Sequence, residues 1–218
     1  MKPLTAILAG ATGLVGGECL RRLLASPRYE RVIVVTRRKL TDVPAERKLR
    51  QVVTEFENLG EMRERLRGDH VYCALGTTIR KAGSQERFRA VDYEYPLRLA
   101  QLTRKNGVRH FSIVSALGAS RSSPFFYSRV KGETEEGLQQ LGWPSLAIVR
   151  PSVIAGDRAE ARPLERLSAH LLQFAPATWR PVPAGDIAAA MIVMALRERP
   201  GVTVLESREI SGVAQHLE

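Results

Sequence analysis

Short apolar runs alternate with amphipathic stretches along most of this chain of 218 residues. The runs predict strands at Leu4–Ala9, Arg31–Thr36, Leu49–Thr54, His70–Leu75, His110–Ser115 and Ser145–Arg150. Between them, helical periodicity predicts helices at Leu14–Ala25, Leu59–Arg67, Gln85–Asn106 and Tyr127–Leu141. Gly107 and Gly142 stand where a helix closed by a left-handed residue needs them. The runs "VIVV", "VYCAL" and "LAIV" are continuous rather than alternating, as strands covered on both faces require. Such strands in β-α-β order predict an α/β fold with a doubly wound parallel sheet. After Arg150 the order loosens. "RPLERLSAHLLQF" and "GDIAAAMIVMALRER" read as two more helices, and "VTVLES" as a last strand. The apolar spacing of "IAAAMIVMALRE" is that of a core helix, with a dimer-forming helix as the alternative.

Composition adds limits. With 44% hydrophobic and 26% charged residues, and no repeat or linker, residues 1–218 are expected to form one domain. "MKPLTAIL" is too short an apolar stretch for a signal peptide, and no window approaches a membrane span, so a cytoplasmic location is expected. Cys19 and Cys73 lack metal or redox spacing and read as core residues. The four histidines are isolated, no metal site is expected, and His70 and His110 read as peripheral residues ahead of strands. The net charge of +10 raises nucleic acid as a partner. However, only 6 of the 33 basic residues are lysine, and the arginines are spread out, often beside acids, as in "EMRERLRGD". That pattern reads as a solvated surface favouring anionic ligands in general, and no nucleic acid partner is expected. No G-x-S-x-G elbow and no G-x-x-x-x-G-K-[ST] motif occurs, so neither a hydrolase nor an NTPase is indicated.

The most specific local signal is "GATGLVG", residues 10 to 16, between the first predicted strand and the first predicted helix. Small residues there let backbone N–H groups and a helix N-terminus approach a pyrophosphate; the alternative is a tight turn with no ligand. An NAD site usually places an acid on the adenosine ribose about 20 residues on. Here "TRRK" follows the second strand, with no acid from Arg31 through Thr41. Arg37 and Arg38 offer guanidinium forks to a 2′-phosphate, which favours NADP(H), unless they are ordinary surface charge.

Further along, "FFYSRVKGE" sets Tyr127 and Lys131 four residues apart, on one helix face. An ammonium and the first turn of a helix both stabilise a phenolate, so such a tyrosine can exchange a proton with a carbonyl oxygen. Ser115 ends the fifth predicted strand, where doubly wound folds bind ligands, and its hydroxyl is a candidate to hold the substrate oxygen. Each of these residues also has an ordinary structural reading.

Taken in order, the glycine turn, Ser115 and Tyr127-x-x-x-Lys131 resemble the short-chain dehydrogenase/reductases of the atypical, extended-like branch, which bind a nicotinamide dinucleotide on a Rossmann fold. More narrowly, "TRRKLT", "CALGTT", "KAG", "VKGE" and "RPSVIAGDR" are similar to the oxidoreductase family named for the HIV Tat-interacting protein and its bacterial relatives, from about Thr5 to Arg158. The resemblance implies that Gly10, Thr12, Gly13, Leu14, Val15 and Gly16 contact the pyrophosphate, and Arg37 with Arg38 the 2′-phosphate. It implies Glu55 and Phe56 near the adenine, and Ala74, Leu75, Gly76 and Thr77 under the ribose. Lys131 would hold the nicotinamide ribose as well as tune Tyr127, and Pro151, Ser152 and Val153 would flank the nicotinamide ring. A small substrate-side portion is expected over about 158–218, with the loop of residues 118–126 as a mobile wall of the pocket.

One position departs from the broader pattern. Asp92 stands where many short-chain enzymes have an asparagine; an acid there either pairs with Lys131 or caps the helix. The expected function is an NADP(H)-dependent oxidoreductase moving hydride between nicotinamide and a carbonyl or alcohol substrate, as a monomer or homodimer. The alternative is an NADPH-binding regulatory or sensor protein, which needs the turn and the arginines but not the tyrosine.

Overall fold

The computed structural model describes residues 3–41, 43, 47–155 and 180–217. Among these residues seven strands form one sheet: β1 (Leu4–Ala9), β2 (Tyr29–Thr36), β3 (Leu49–Val53), β4 (His70–Cys73), β5 (His110–Val114), β6 (Ser145–Arg150) and β9 (Gly201–Glu206). Their order is β3-β2-β1-β4-β5-β6-β9, and every neighbouring pair is parallel. A separate two-stranded pair joins β7 (Ile154–Ala155) to β8 (Val182–Pro183). The order reverses between β1 and β4, and the crevice at such a switch point, beyond the strands' carboxyl ends, is where open α/β sheets bind ligands.

The continuous apolar runs do what their pattern requires. In β1, Leu4, Ala6 and Leu8 face one core while Ile7 and Ala9 face the other; in β2, Val32 and Val34 oppose Ile33 and Val35. The first core is closed by α1 (Leu14–Ala25), α6 (Ala184–Arg197) and α7 (Ser207–Ala214). The second is closed by α4 (Tyr95–Lys105), α5 (Phe126–Gln140) and a 3-10 segment, Phe56–Arg65. Helix α6 buries ten side chains, Ile187 and Met191 among them, so the core-helix reading of this stretch holds. Gly107 and Gly142 have φ of +84° and +61°, the left-handed closure read from the sequence.

Several elements differ from expectation for identifiable reasons. The expected helix Leu59–Arg67 is the 3-10 segment, because Phe56, Leu59 and Met62 repeat every three residues and meet the core at three per turn. The single helix expected over Gln85–Asn106 is α3 (Gln85–Arg89), a π-helical segment Ala90–Glu94, and α4. Pro96 explains the break: its ring lacks an N–H and crowds the carbonyl four residues back, that of Asp92. The freed Asp92 carbonyl accepts instead from Thr134 Oγ1 at 2.8 Å. The short helix α2 (Ile79–Ala82) and α7 had no counterpart in the sequence reading. The helix expected in "RPLERLSAHLLQF" lies outside the described residues, and the described part of the 158–218 portion supplies β8, α6, β9 and α7.

His70 and His110 are not peripheral, as their positions ahead of strands had suggested; each is the first residue of its strand and only 1% exposed. His110 Nδ1 meets Ser145 Oγ at 2.8 Å and Nε2 meets Ser112 Oγ at 2.7 Å. His70 meets Tyr29 Oη at 2.7 Å and Glu198 Oε1 at 2.8 Å. The parallel register sets His70 beside His110 and His110 beside Ser145, so polar side chains that look isolated along the chain satisfy one another across strands. Both cysteines are buried, and burial pushes each thiol up to about 12.

Candidate functional site

Between β1 and α1 the chain turns within four residues. Gly10 takes a φ of +91°, and the Gly13 N–H donates to the Gly10 carbonyl at 2.9 Å. A Cβ on Gly10 would run into the Ala74 carbonyl, and one on Gly16 into the Gly10 carbonyl. Glycine at these two positions is thus a steric requirement of laying the turn against the end of β4. Gly13 caps α1 without a side-chain hydrogen bond, and no acid stands in the first turn, so the helix presents its first N–H groups and positive end to the crevice.

From this turn a cleft of about 780 Å³ runs across the carboxyl ends of β1, β2 and β4. Gly10, Thr12, Gly13, Arg37, Arg38, Phe56 and Ala74 through Thr77 all line it. Arg37 and Arg38 are exposed just beyond β2. Phe56 stacks on Tyr95 at 5.1 Å with an interplanar angle of 16°, and the Tyr95 hydroxyl donates to Glu57. Burial first, and that carboxylate second, push the Tyr95 phenol up to about 12, while the positive charge of Arg37 acts against them. Glu55 is exposed beside Phe56 and does not line the cleft.

A second cavity of about 540 Å³ adjoins the first, the two sharing Thr12, Gly13, Ala74 through Thr77 and Lys81 as wall residues. Its walls add Leu14, Val15, Asp92, Ser115, Tyr127 and Lys131. Tyr127 is 37% exposed at the start of α5, whereas Lys131, one turn deeper, is buried. Burial alone would push the Lys131 ammonium's pKa down; the Asp92 carboxylate and Tyr127 outweigh it, so the ammonium is held above its ordinary range. Asp92 Oδ1 lies 2.7 Å from Lys131 Nζ, and Asp92 Oδ2 accepts the Thr77 N–H at 2.9 Å. Of the two roles open to Asp92, pairing with Lys131 is the one adopted.

Ser115 is buried, and its hydroxyl donates to Glu135 Oε1 at 2.5 Å. Glu135 is forked by Arg150, with Nε 3.0 Å from Oε1 and Nη2 2.5 Å from Oε2, and Arg150 Nη1 reaches Glu206 at 2.9 Å. With its proton committed to an ion-paired carboxylate, Ser115 turns acceptor lone pairs, not a donor, toward the cavity. Glu135 was missed from sequence, although it falls four residues after Lys131 on the same helix face, as Lys131 follows Tyr127. Lys81 and Arg87, which line the first cleft, were missed too. Pro151, Ser152 and Val153 line neither cavity; Ile154 does. Ser152 Oγ donates to the Arg180 carbonyl at 2.6 Å and its N–H to Ser207 Oγ at 3.1 Å, while Val153 is 44% exposed. No residue of the loop 118–126 lines either cavity; the wall begins at Tyr127, just after it.

Known proteins resemble this chain in sequence and in fold. The family model described as NAD(P)H-binding matches residues 10–168. Protein HTATIP2 of Rattus norvegicus is 37% identical over 181 residues, 82% of this chain and 74% of the relative. Protein FMP52, mitochondrial, of Candida albicans is 31% identical over 193 residues, 84% of each chain. Among solved structures, the Bordetella bronchiseptica enzyme WbmG in complex with NAD superimposes with a TM-score of 0.73 at 18% identity, over 98% of this chain and 77% of WbmG. MoeE5 in complex with UDP-glucose and NAD gives 0.71 at 17% identity, over 97% of this chain and 81% of MoeE5. At that identity the likeness speaks for the fold alone, a Rossmann-type parallel sheet flanked by helices. With a glycine turn sterically bound to β4, a cleft crossing the switch point, and a family match over most of its length, the chain belongs to the NAD(P)H-binding family as a homologue of HTATIP2 and FMP52.

Proposed function

We propose that this protein is an NADP(H)-dependent oxidoreductase acting on a small carbonyl or alcohol substrate. The carrying observation is the adjacency of the two cavities, which share the glycine turn and Ala74 through Thr77 as walls: Arg37 and Arg38 line the first, and Ser115, Tyr127 and Lys131 line the second. Gly10, Thr12 and Gly13, with the free N–H groups of α1, cradle the pyrophosphate, and Phe56 with Tyr95 supports the adenine. Arg37 and Arg38 take the 2′-phosphate by charge-assisted hydrogen bonds. When bound, the nicotinamide supplies or accepts a hydride at a ring carbon.

The chain's own residues manage the proton. Tyr127, at the rim, gives a proton to the substrate oxygen in reduction and takes it back in oxidation. Lys131 holds the ribose and steadies the phenolate, and Ser115, as an acceptor, orients the donor hydroxyl of Tyr127 or of an alcohol. Ile154, which lines the second cavity where Pro151, Ser152 and Val153 do not, takes the place beside the ring, and the portion over about 158–218 is the substrate side of a single domain.

Mixing the protein with NADPH and a panel of aldehydes, ketones and quinones tests this reading through absorbance at the reduced nicotinamide band. Turnover is expected, and Tyr127→Phe should reduce it by about 100-fold or more. Undiminished turnover in Tyr127→Phe would remove the assignment. The regulatory reading has one observation in its favour, the commitment of the Ser115 proton to Glu135. Tight NADPH binding with no hydride transfer across the panel would select it. A cytoplasmic location belongs to the same proposal, although the fungal relatives carry "mitochondrial" in their names; fractionation of the producing cell decides it.

A further inference from the structure

The π-helical segment Ala90–Glu94 turns Asp92 inward, beneath the end of β4. Its side chain is fully buried, and the Lys131 side chain beside it is 7% exposed. The pair is fixed from several sides: Thr77 N–H holds Asp92 Oδ2, and Thr134 Oγ1 holds the Asp92 carbonyl. A Cβ on Gly76 would stand 3.5 Å from Asp92 Oδ1 and 3.8 Å from Lys131 Nζ, and all three residues line the second cavity, so the pair is part of its floor. Lys131 alone would make this floor positive; with Asp92 its net charge is zero.

That cancellation matters for a nicotinamide because its two oxidation states differ by one charge at the ring: the oxidised ring is a cation and the reduced ring is neutral. An unpaired ammonium, shielded from water, repels the first and leaves the second almost unaffected. We propose that Asp92 is a specificity-determining residue for the oxidation state of the cofactor, neutralising Lys131 so that the site holds the oxidised form as well as the reduced one. This role rests on the cofactor reading of the cavity given above. It concerns binding alone, so it is testable without knowledge of the substrate.

The test is a charge cycle read by titration calorimetry with NADP+ and NADPH as probes, on wild type, Asp92→Asn, Lys131→Met and the double variant, each checked for folding by circular dichroism. The readout is the ratio of Kd for NADP+ to Kd for NADPH, in which losses common to both forms cancel. Asp92→Asn should raise the ratio by about ten-fold, the effect of one unit charge over roughly a nanometre at an effective dielectric near 20. Lys131→Met, which leaves the carboxylate unpaired, should lower it. The double variant buries no charge at this site, so it remains informative if Asp92→Asn fails to fold, and its ratio should return to within about two-fold of wild type. Ratios that stay put in the single variants, or that move in the same direction in both, overturn the proposal. A wild-type protein that binds neither nucleotide overturns the cofactor reading as well, which separates the two failures.

Discussion

Acidification should destabilise this protein well before its carboxylates titrate, because of His110. The ring is 1% exposed, held between the hydroxyls of Ser145 and Ser112, with the His70 ring 5.7 Å away. Burial first, and the neighbouring His70 second, push its pKa down from 6.5 to about 3. The folded pKa lies below the unfolded one, so the unfolded chain binds more protons; the contribution is fully present above about pH 6.5 and is lost as pH falls toward about 3. With an unfolded value of about 6.5, linkage gives a loss of about 2 kcal/mol between pH 8 and pH 5. Moving the folded pKa by a whole unit changes that figure by less than about 0.1 kcal/mol, since at pH 5 the folded ring is neutral either way. Burial also pushes His70 down, against the pull of Glu198, so it adds in the same direction. Urea unfolding at pH 8, 6.5 and 5 measures the effect. His110→Gln should flatten the pH dependence by about 2 kcal/mol relative to wild type whatever it does to stability at pH 8. Equal pH dependence in the two proteins would refute the reasoning.

Other outcomes follow from the site. Gly16→Ala drives a Cβ into the Gly10 carbonyl, a backbone atom with nowhere to go, and should cost about 3 kcal/mol or more in urea unfolding. Arg37→Ala and Arg38→Ala should each weaken NADPH by about ten-fold or more in fluorescence titrations while leaving NADH nearly unchanged; equal losses for both would remove the 2′-phosphate assignment. Glu135→Ala strips Arg150 of its fork and Ser115 of its acceptor, and should cost about 3 kcal/mol in thermal or urea unfolding, with Arg150 still tied to Glu206.

Much of the site was legible because its chemistry sits at fixed offsets along the chain. The glycines fall where a strand must turn into a helix, and Tyr127 and Lys131, four residues apart, share a face of an α-helix. Asp92 was visible as a departure from a pattern, but not which of its roles it takes. That depended on the π-turn, whose cause, Pro96, is in the sequence and whose consequence is only in space. Ser115 was found and its state was not: the acceptor of its proton, Glu135, lies 20 residues away on another element.

By itself, the sequence determined the doubly wound sheet, its two covered faces, the cofactor turn and the strands whose ends form the crevice. These rest on periodicity, steric necessity and local spacing, which act within a dozen residues. The tertiary structure decided the buried histidine cluster across β4, β5 and β6, the placing of two cavities side by side on shared walls, and the charge balance of Asp92 and Lys131 beside Gly76. Each of these depends on which side chains meet across strands and helices, and burial in a low-dielectric interior then fixes which of them carry charge and which protons are free to move.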